Sequence, residues 1–277
     1  MTGIIDVGGG MRDIYGAGVL DCFIDNNITF DVCIGVSAGS ANLASFIAGQ
    51  KGRTYRFYAE YAARKEYMSF GNMFRSGSFF NLDYIYSYLS DSDGEDPLDF
   101  DALEKSRSEL ITVVTNAKTG KAEYFDKKHI IKDDLWPIKA SCAMPVACRP
   151  FCHDGKEYAD GGVAAPIPVE KAFEMGCDKV FVIIPRPPAE KNHEFSYMMK
   201  PFLRNHPAIL ELMKKRPEIY NSQLNTLNKY IKSGKVVLIA PDNDKGLNMI
   251  SKNKERLTAY YHKGYNDAQK ILNDTGF

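Results

Sequence analysis

Short apolar runs and helical spacings alternate along this chain, and glycine clusters mark where one gives way to the other. Residues 3–7 read as a strand that runs straight into Gly8-Gly9-Gly10-Met11-Arg12, and residues 14–23 then take helical spacing with Leu20 and Phe23 on one face. Val32-Cys33-Ile34 is a second buried-strand run. It enters Gly35-Val36-Ser37-Ala38-Gly39, and the small residues after it suit a helix over 40–48. Residues 110–114 form a β-branched strand, and Thr119-Gly120 turns the chain back through Tyr124-Phe125. A short helix over 136–144 is stopped by Pro145, and 151–159 fold as a hairpin across His153-Asp154-Gly155-Lys156 into Asp160-Gly161-Gly162. A helix over 167–175, strands over 180–184 and 236–240, and a closing helix over 252–272 complete the pattern. No repeat or linker interrupts it, so the expectation is one domain over 1–277, with core motifs in 3–170 and further elements over 186–277 packed on them.

Two stretches carry candidate chemistry. A strand, a sharp small-residue turn and a helix are the setting of a Gly-x-Ser-x-Gly nucleophile elbow, which makes Ser37 the candidate nucleophile, flanked by Gly35 and Gly39. The glycine run at 8–10 leaves backbone N–H groups free to face an anion, either a nucleotide phosphate or a developing oxyanion. A dinucleotide loop wants glycine where Asp13 stands, and Gly-Lys-Ser/Thr is absent, so the oxyanion reading is the better fit.

Composition narrows the field. Lys+Arg and Asp+Glu balance at 35 each, which argues against nucleic acid as a partner. The six cysteines form no CxxC pair and suit reduced thiols; Cys148, Cys152 and His153 match no common zinc spacing, so no metal or cofactor is expected. No apolar run reaches the ~18 residues of a membrane span. The first residues lack signal-peptide character, and the cytoplasm is the expected compartment. Twelve aromatics crowd residues 55–88, as core packing or as the wall of an acyl-binding cleft. Residues 186–232 carry nine Lys/Arg against four acids, as a solvated helical face or, in a second reading, a transient membrane-surface contact.

A serine hydroxyl needs a base. One arrangement runs Ser37, Asp160, then His193, His206 or His262; the other is a Ser37–Asp160 dyad with no histidine, in which burial raises the carboxylate's basicity. The chain resembles the bacterial patatin-like phospholipases in four ordered blocks: Gly8-Gly9-Gly10-Met11-Arg12, Gly35-Val36-Ser37-Ala38-Gly39, Ala140-Ser141-Cys142-Ala143-Met144-Pro145 and Asp160-Gly161-Gly162. The resemblance implies a three-layer α/β/α sandwich around a mostly parallel sheet. It also implies a serine acyl-hydrolase that cleaves lipid or lysolipid esters through a Ser37–Asp160 dyad, with Gly8, Gly9, Gly10 and Arg12 around the oxyanion and Gly161 and Gly162 flanking the base. The rival from another class is a catalytically silent module of the same fold that binds lipid or protein. Val7 and Asp13 depart from the family pattern, and Asp13 is expected either to pair with Arg12 or to crowd the loop. The sequence leaves the oligomeric state open.

Overall fold

The computed structural model describes residues 1–187, 203–244 and 246–275. Its sheet comprises β1 (Thr2–Asp6), β2 (Val32–Val36), β3 (Glu109–Asn116), β4 (Ala122–Asp126), β5 (Phe151–His153), β6 (Lys156–Asp160), β7 (Lys179–Ile183) and β8 (Val236–Ile239). Five of these run parallel in the order β3-β2-β1-β7-β8, while β4 and β6 pair antiparallel with β3, and β5 with β6. The parallel strands read as unbroken apolar runs because both of their faces are covered. Ile4, Cys33, Leu110 and Phe181 pack toward α1 (Ile14–Asp25), α2 (Ala38–Ile47), α3 (Arg53–Ala59) and, beyond them in sequence, the closing helix at 254–275. Their strand neighbours Ile5, Ile34, Ile111 and Val182 point the other way, with Val169, Tyr220 and Leu227. The result is a three-layer α/β/α sandwich.

The remaining helices are α4 (Phe70–Ser76), α5 (Phe100–Lys105), α6 (Trp136–Ser141), α7 (Val169–Glu174), α8 (Pro207–Lys214), α9 (Arg216–Lys232) and α10 (Lys254–Thr275). α6 stops at Ser141, three residues short of the predicted end, because the Ala143 carbonyl accepts the Asp160 N–H (2.9 Å) instead of continuing the helix. The aromatic stretch breaks into α3, a 3-10 turn at Tyr61–Ala63, α4 and one π-helical turn at Tyr84–Tyr88. Of the basic segment, 188–202 lie outside the described residues, and α9 belongs to the sandwich, with Tyr230 stacked on Phe173 at 4.2 Å. Among the described residues no helix is long and apolar enough to cross a membrane.

Strand register places the site. β2 pairs with β3 up to Val36↔Val113, and β6 begins at Val114↔Asp160. Because β4 overlaps both of them along β3, it must occupy the opposite edge. β2 and β6 therefore meet end to end on one edge, which brings the residue after Val36 beside Asp160.

Candidate active site

Ser37 sits between β2 and α2 with φ 55° and ψ −132°, a backbone conformation that costs a non-glycine residue of the order of 1–3 kcal/mol. The surroundings hold it there. Its N–H donates to Ser141 Oγ (2.8 Å), Ser141 Oγ donates to the Val113 carbonyl (2.6 Å), and Ser40 Oγ donates to the Ser37 carbonyl (2.6 Å). The flanking glycines are required by contact: a Cβ on Gly35 would lie 2.3 Å from Ser40 Cα, and one on Gly39 2.3 Å from the Asp6 carbonyl. The elbow also aims the serine across the positive N-terminal end of a ten-residue helix.

The Ser37 side chain lies near enough to the Asp160 carboxylate to favour its charged form. Asp160 is 7% exposed, and burial raises its pKa. The Ser37 hydroxyl, the Gly162 N–H (2.8 Å to Oδ1) and the charge of Arg216 act in the other direction. Arg216 Nη1 also donates to the Gly162 carbonyl (3.1 Å), so α9 braces the loop carrying the acid. None of the candidate histidines joins this pair among the described residues. His206 faces Glu157 (3.2 Å), His262 lies against Tyr261, and His193 falls outside the described residues; His153 stacks on Trp136 at 3.9 Å.

The glycine loop lies against the elbow, with Gly8 directly beside Ser37. Gly8 N–H is taken by Asp6 Oδ1 (3.2 Å) and Met11 N–H by the Met249 carbonyl (3.1 Å). The N–H groups of Gly9 and Gly10 have no acceptor among the described residues, whereas the Arg12 guanidinium turns to Asp244 (3.5 Å). Asp13 does not pair with Arg12. It is wholly buried beneath the loop with Asp6, and the two carboxyls share the amide of Asn42, whose Nδ2 is 3.2 Å from Asp6 Oδ2 and 2.9 Å from Asp13 Oδ2. Tyr58 fixes that amide's orientation by donating to its Oδ1 (3.0 Å). Burial and the neighbouring Asp6 push Asp13 well above the carboxylate range, and burial raises Asp6 as well, so the pair holds a proton more tightly than separate aspartates would. Asp6 Oδ1 accepts from the Gly8 N–H of the loop.

This pair makes stability depend on pH with a definite sign. Two separate aspartates in the unfolded chain release their protons near pH ~4. The folded pair keeps one above that point, so its stabilisation is complete at low pH and is lost as pH rises through the folded pKa, at up to about 1.4 kcal/mol per pH unit. Asp13→Asn supplies an N–H donor that does not titrate. Urea midpoints measured from about pH 5 upward should therefore fall for the natural protein relative to the variant. Parallel curves would remove the shared proton.

A cavity of about 70 Å³ opens from Ser37 and Gly10 between the elbow and the aromatic stretch. Phe57, Tyr58, Tyr67, Phe80, Ile85 and Tyr86 line it, so part of that stretch is wall and part is core. Arg53, which also lines the cavity, is engaged by Ser45 Oγ, Ser90 Oγ and the Asp96 carbonyl, each at 2.9 Å from its Nη atoms, with the Asp96 carboxylate 3.8 Å from its Nε. Sequence reasoning assigned no role to Ser141, Arg216, Asn42 or Asp6. Ser141 lay within a quoted block, whereas Arg216 is indistinguishable in sequence from the surface lysines beside it.

Comparison with known proteins agrees with this geometry. The family model described as patatin-like phospholipase matches residues 7–173, and one described only as a domain of unknown function matches 206–276. The uncharacterized protein YjjU of Escherichia coli strain K12 is 30% identical over 191 residues, 64% of this chain and 49% of that protein. Lysophospholipase nte1 of Emericella nidulans is 25% identical over 190 residues, 66% of this chain but 12% of the fungal protein. This chain thus spans about half or less of these relatives' lengths. The crystal structure of VipD from Legionella pneumophila superposes with a TM-score of 0.51 at 14% identity, over 99% of this chain and 67% of that one, a likeness of fold. With its glycine loop, serine elbow and Asp-Gly-Gly turn all inside the matched region, the chain belongs to the patatin-like phospholipase family.

Proposed function

We propose that this protein is a serine acyl-hydrolase that cleaves carboxylic ester bonds of lipids or lysophospholipids. The observation that carries the reading is the strained Ser37 elbow set beside the buried Asp160 carboxylate, with Ser37 lining an apolar cavity. Ser37 Oγ attacks the ester carbonyl while Asp160 takes its proton, and the same proton passes to the leaving alcohol as the tetrahedral intermediate collapses. Water then attacks the acyl-enzyme, with Asp160 again as base, and the acid is released. The N–H groups of Gly9 and Gly10, with the N-terminal end of α2, receive the oxyanion, and the acyl chain lies among Phe57, Phe80 and Ile85. Arg12 contributes by tethering the loop through Asp244. Burial makes Asp160 a stronger base than an exposed carboxylate, as a dyad lacking histidine requires.

The test is covalent labelling. A fluorophosphonate should modify the folded protein once, at Ser37, and the same preparation should release fatty acid from a phospholipid and lysophospholipid panel. Folded protein that takes up no probe at Ser37 and hydrolyses no ester would instead be the silent binding module.

A further inference from the structure

We propose that residues 68–80, with 249–254 and Arg149, form the surface by which this protein sits on an anionic lipid layer. The inference rests on the lipid-ester reading and says where that substrate enters. Three large apolar side chains stand open to solvent in this region, Phe70 at 73%, Phe74 at 89% and Ile250 at 48%. Single exposed apolar residues are ordinary, but a group of them on one rim is not.

The rim is built rather than loose. Ser69 caps α4 by accepting from the Asn72 N–H, Asn72 Nδ2 reaches the Lys65 and Glu66 carbonyls (3.1 Å each), and Lys252 Nζ reaches the Met68 carbonyl (2.7 Å). Phe79 N–H donates to the Ala147 carbonyl (2.6 Å) and Arg149 N–H to Ser78 Oγ (3.1 Å), so three chain segments meet here. The outer aromatics also lead inward. Phe70 packs edge-on against Phe79 (5.4 Å) and Phe79 against Phe80 (5.3 Å), and Phe80 lines the cavity that reaches Ser37. On the other side Met249, a cavity-lining residue, lies against Gly10 and precedes exposed Ile250. An acyl chain leaving a lipid layer here would stay against apolar surface as far as the nucleophile.

Charge selects the kind of layer. Lys65, Arg75, Arg149, Lys252 and Lys254 are exposed around these side chains, against Glu60, Glu66, Asp83 and Glu255; Lys254 pairs with Glu60 (4.0 Å) and Asp83 is held by Lys139 (2.8 Å), which leaves a small cationic excess. The molecule as a whole has zero formal net charge, so this excess is local. An apolar centre rimmed by cations matches acyl chains beneath anionic headgroups.

The experiment uses Ser37→Ala protein, so that binding is read without turnover, co-sedimented with vesicles of phosphatidylcholine alone or mixed equally with phosphatidylglycerol. The mixed vesicles should bind it more tightly. Phe70→Ser with Phe74→Ser should lower partitioning about 100-fold, roughly tenfold for each ring withdrawn from the interface. Lys65→Glu with Arg75→Glu should erase the preference for phosphatidylglycerol. Placed in the protein that retains Ser37, the same substitutions should leave hydrolysis of a water-soluble nitrophenyl ester unchanged. Binding indifferent to both rings, or equal on the two vesicle types, overturns the proposal, as would self-association that depends on these rings in protein that binds no vesicle. Vesicle binding by protein without esterase activity would instead uphold the docking surface and overturn the hydrolase reading.

Discussion

Ser37→Ala should lower kcat on a water-soluble ester by at least about 10⁴-fold, and Asp160→Asn by about 10³–10⁴-fold, with both proteins remaining folded. The fold should survive Ser37→Ala because Oγ supports nothing in the elbow; the bonds that hold the turn come from the Ser37 main chain to Ser141 and Ser40. Alanine inherits a strain that serine already bears. In Asp160→Asn the side-chain oxygen can still accept from the Gly162 N–H, but an amide takes no proton from a serine. Burial disfavours the Asp160 charge, so its removal should leave the thermal midpoint unchanged or higher, while catalysis collapses. His206→Ala and His262→Ala serve as contrasts and should keep their activity. Asp160→Asn retaining more than about a tenth of kcat would defeat the dyad.

Gly8→Ala should cost about 10²–10³ in kcat with little change in KM, the loss typical of a displaced oxyanion donor. Gly8 has φ +66°, and a Cβ there would lie 2.2 Å from the Val36 carbonyl and 3.0 Å from Ser37 Cβ. Val36 cannot yield, because it is the last residue of β2 and is paired with Val113 in the sheet. The loop must yield instead, carrying the Gly9 and Gly10 N–H groups off the serine. Gly49→Ala separates this displacement from the general penalty of a positive φ. Gly49 has φ +70° with nothing within 4 Å of its would-be Cβ, so it should lose about 1 kcal/mol of stability and no kcat. Equal kcat values in the two variants would show that Gly8 does not position the donors.

The sheet was legible because each parallel strand carries a short apolar run, and the elbow because steric demand leaves glycine no substitute at 35 and 39. Asp160 was legible through its two following glycines. The aromatic stretch was not. Tyr55, Tyr58 and Tyr61 recur at helical spacing, but α3 ends at Ala59 and the three rings disperse. Tyr55 bonds to Thr258, Tyr58 to Asn42 and Tyr61 to Asp96. Which aromatics became wall and which became rim was decided by segments remote in sequence, among them 144–149 and 249–252. The Asp6–Asp13 pair was hidden for a different reason. Two acids seven positions apart look like ordinary solvated charge until a helix from elsewhere brings Asn42 between them.

Because β2 and β6 abut on one edge of β3, the spacing between Ser37 and Asp160 is a matter of hairpin alignment. A slip of β6 by a single residue would carry Asp160 about 3.3 Å along the edge and turn its side chain to the opposite face of the sheet. Such a molecule would keep its parallel core, its helices and nearly all of its buried area. Under the proposed reading, ester hydrolysis would therefore be a finer measure of correct assembly than compactness or helix content, because it would require the native β3–β6 alignment.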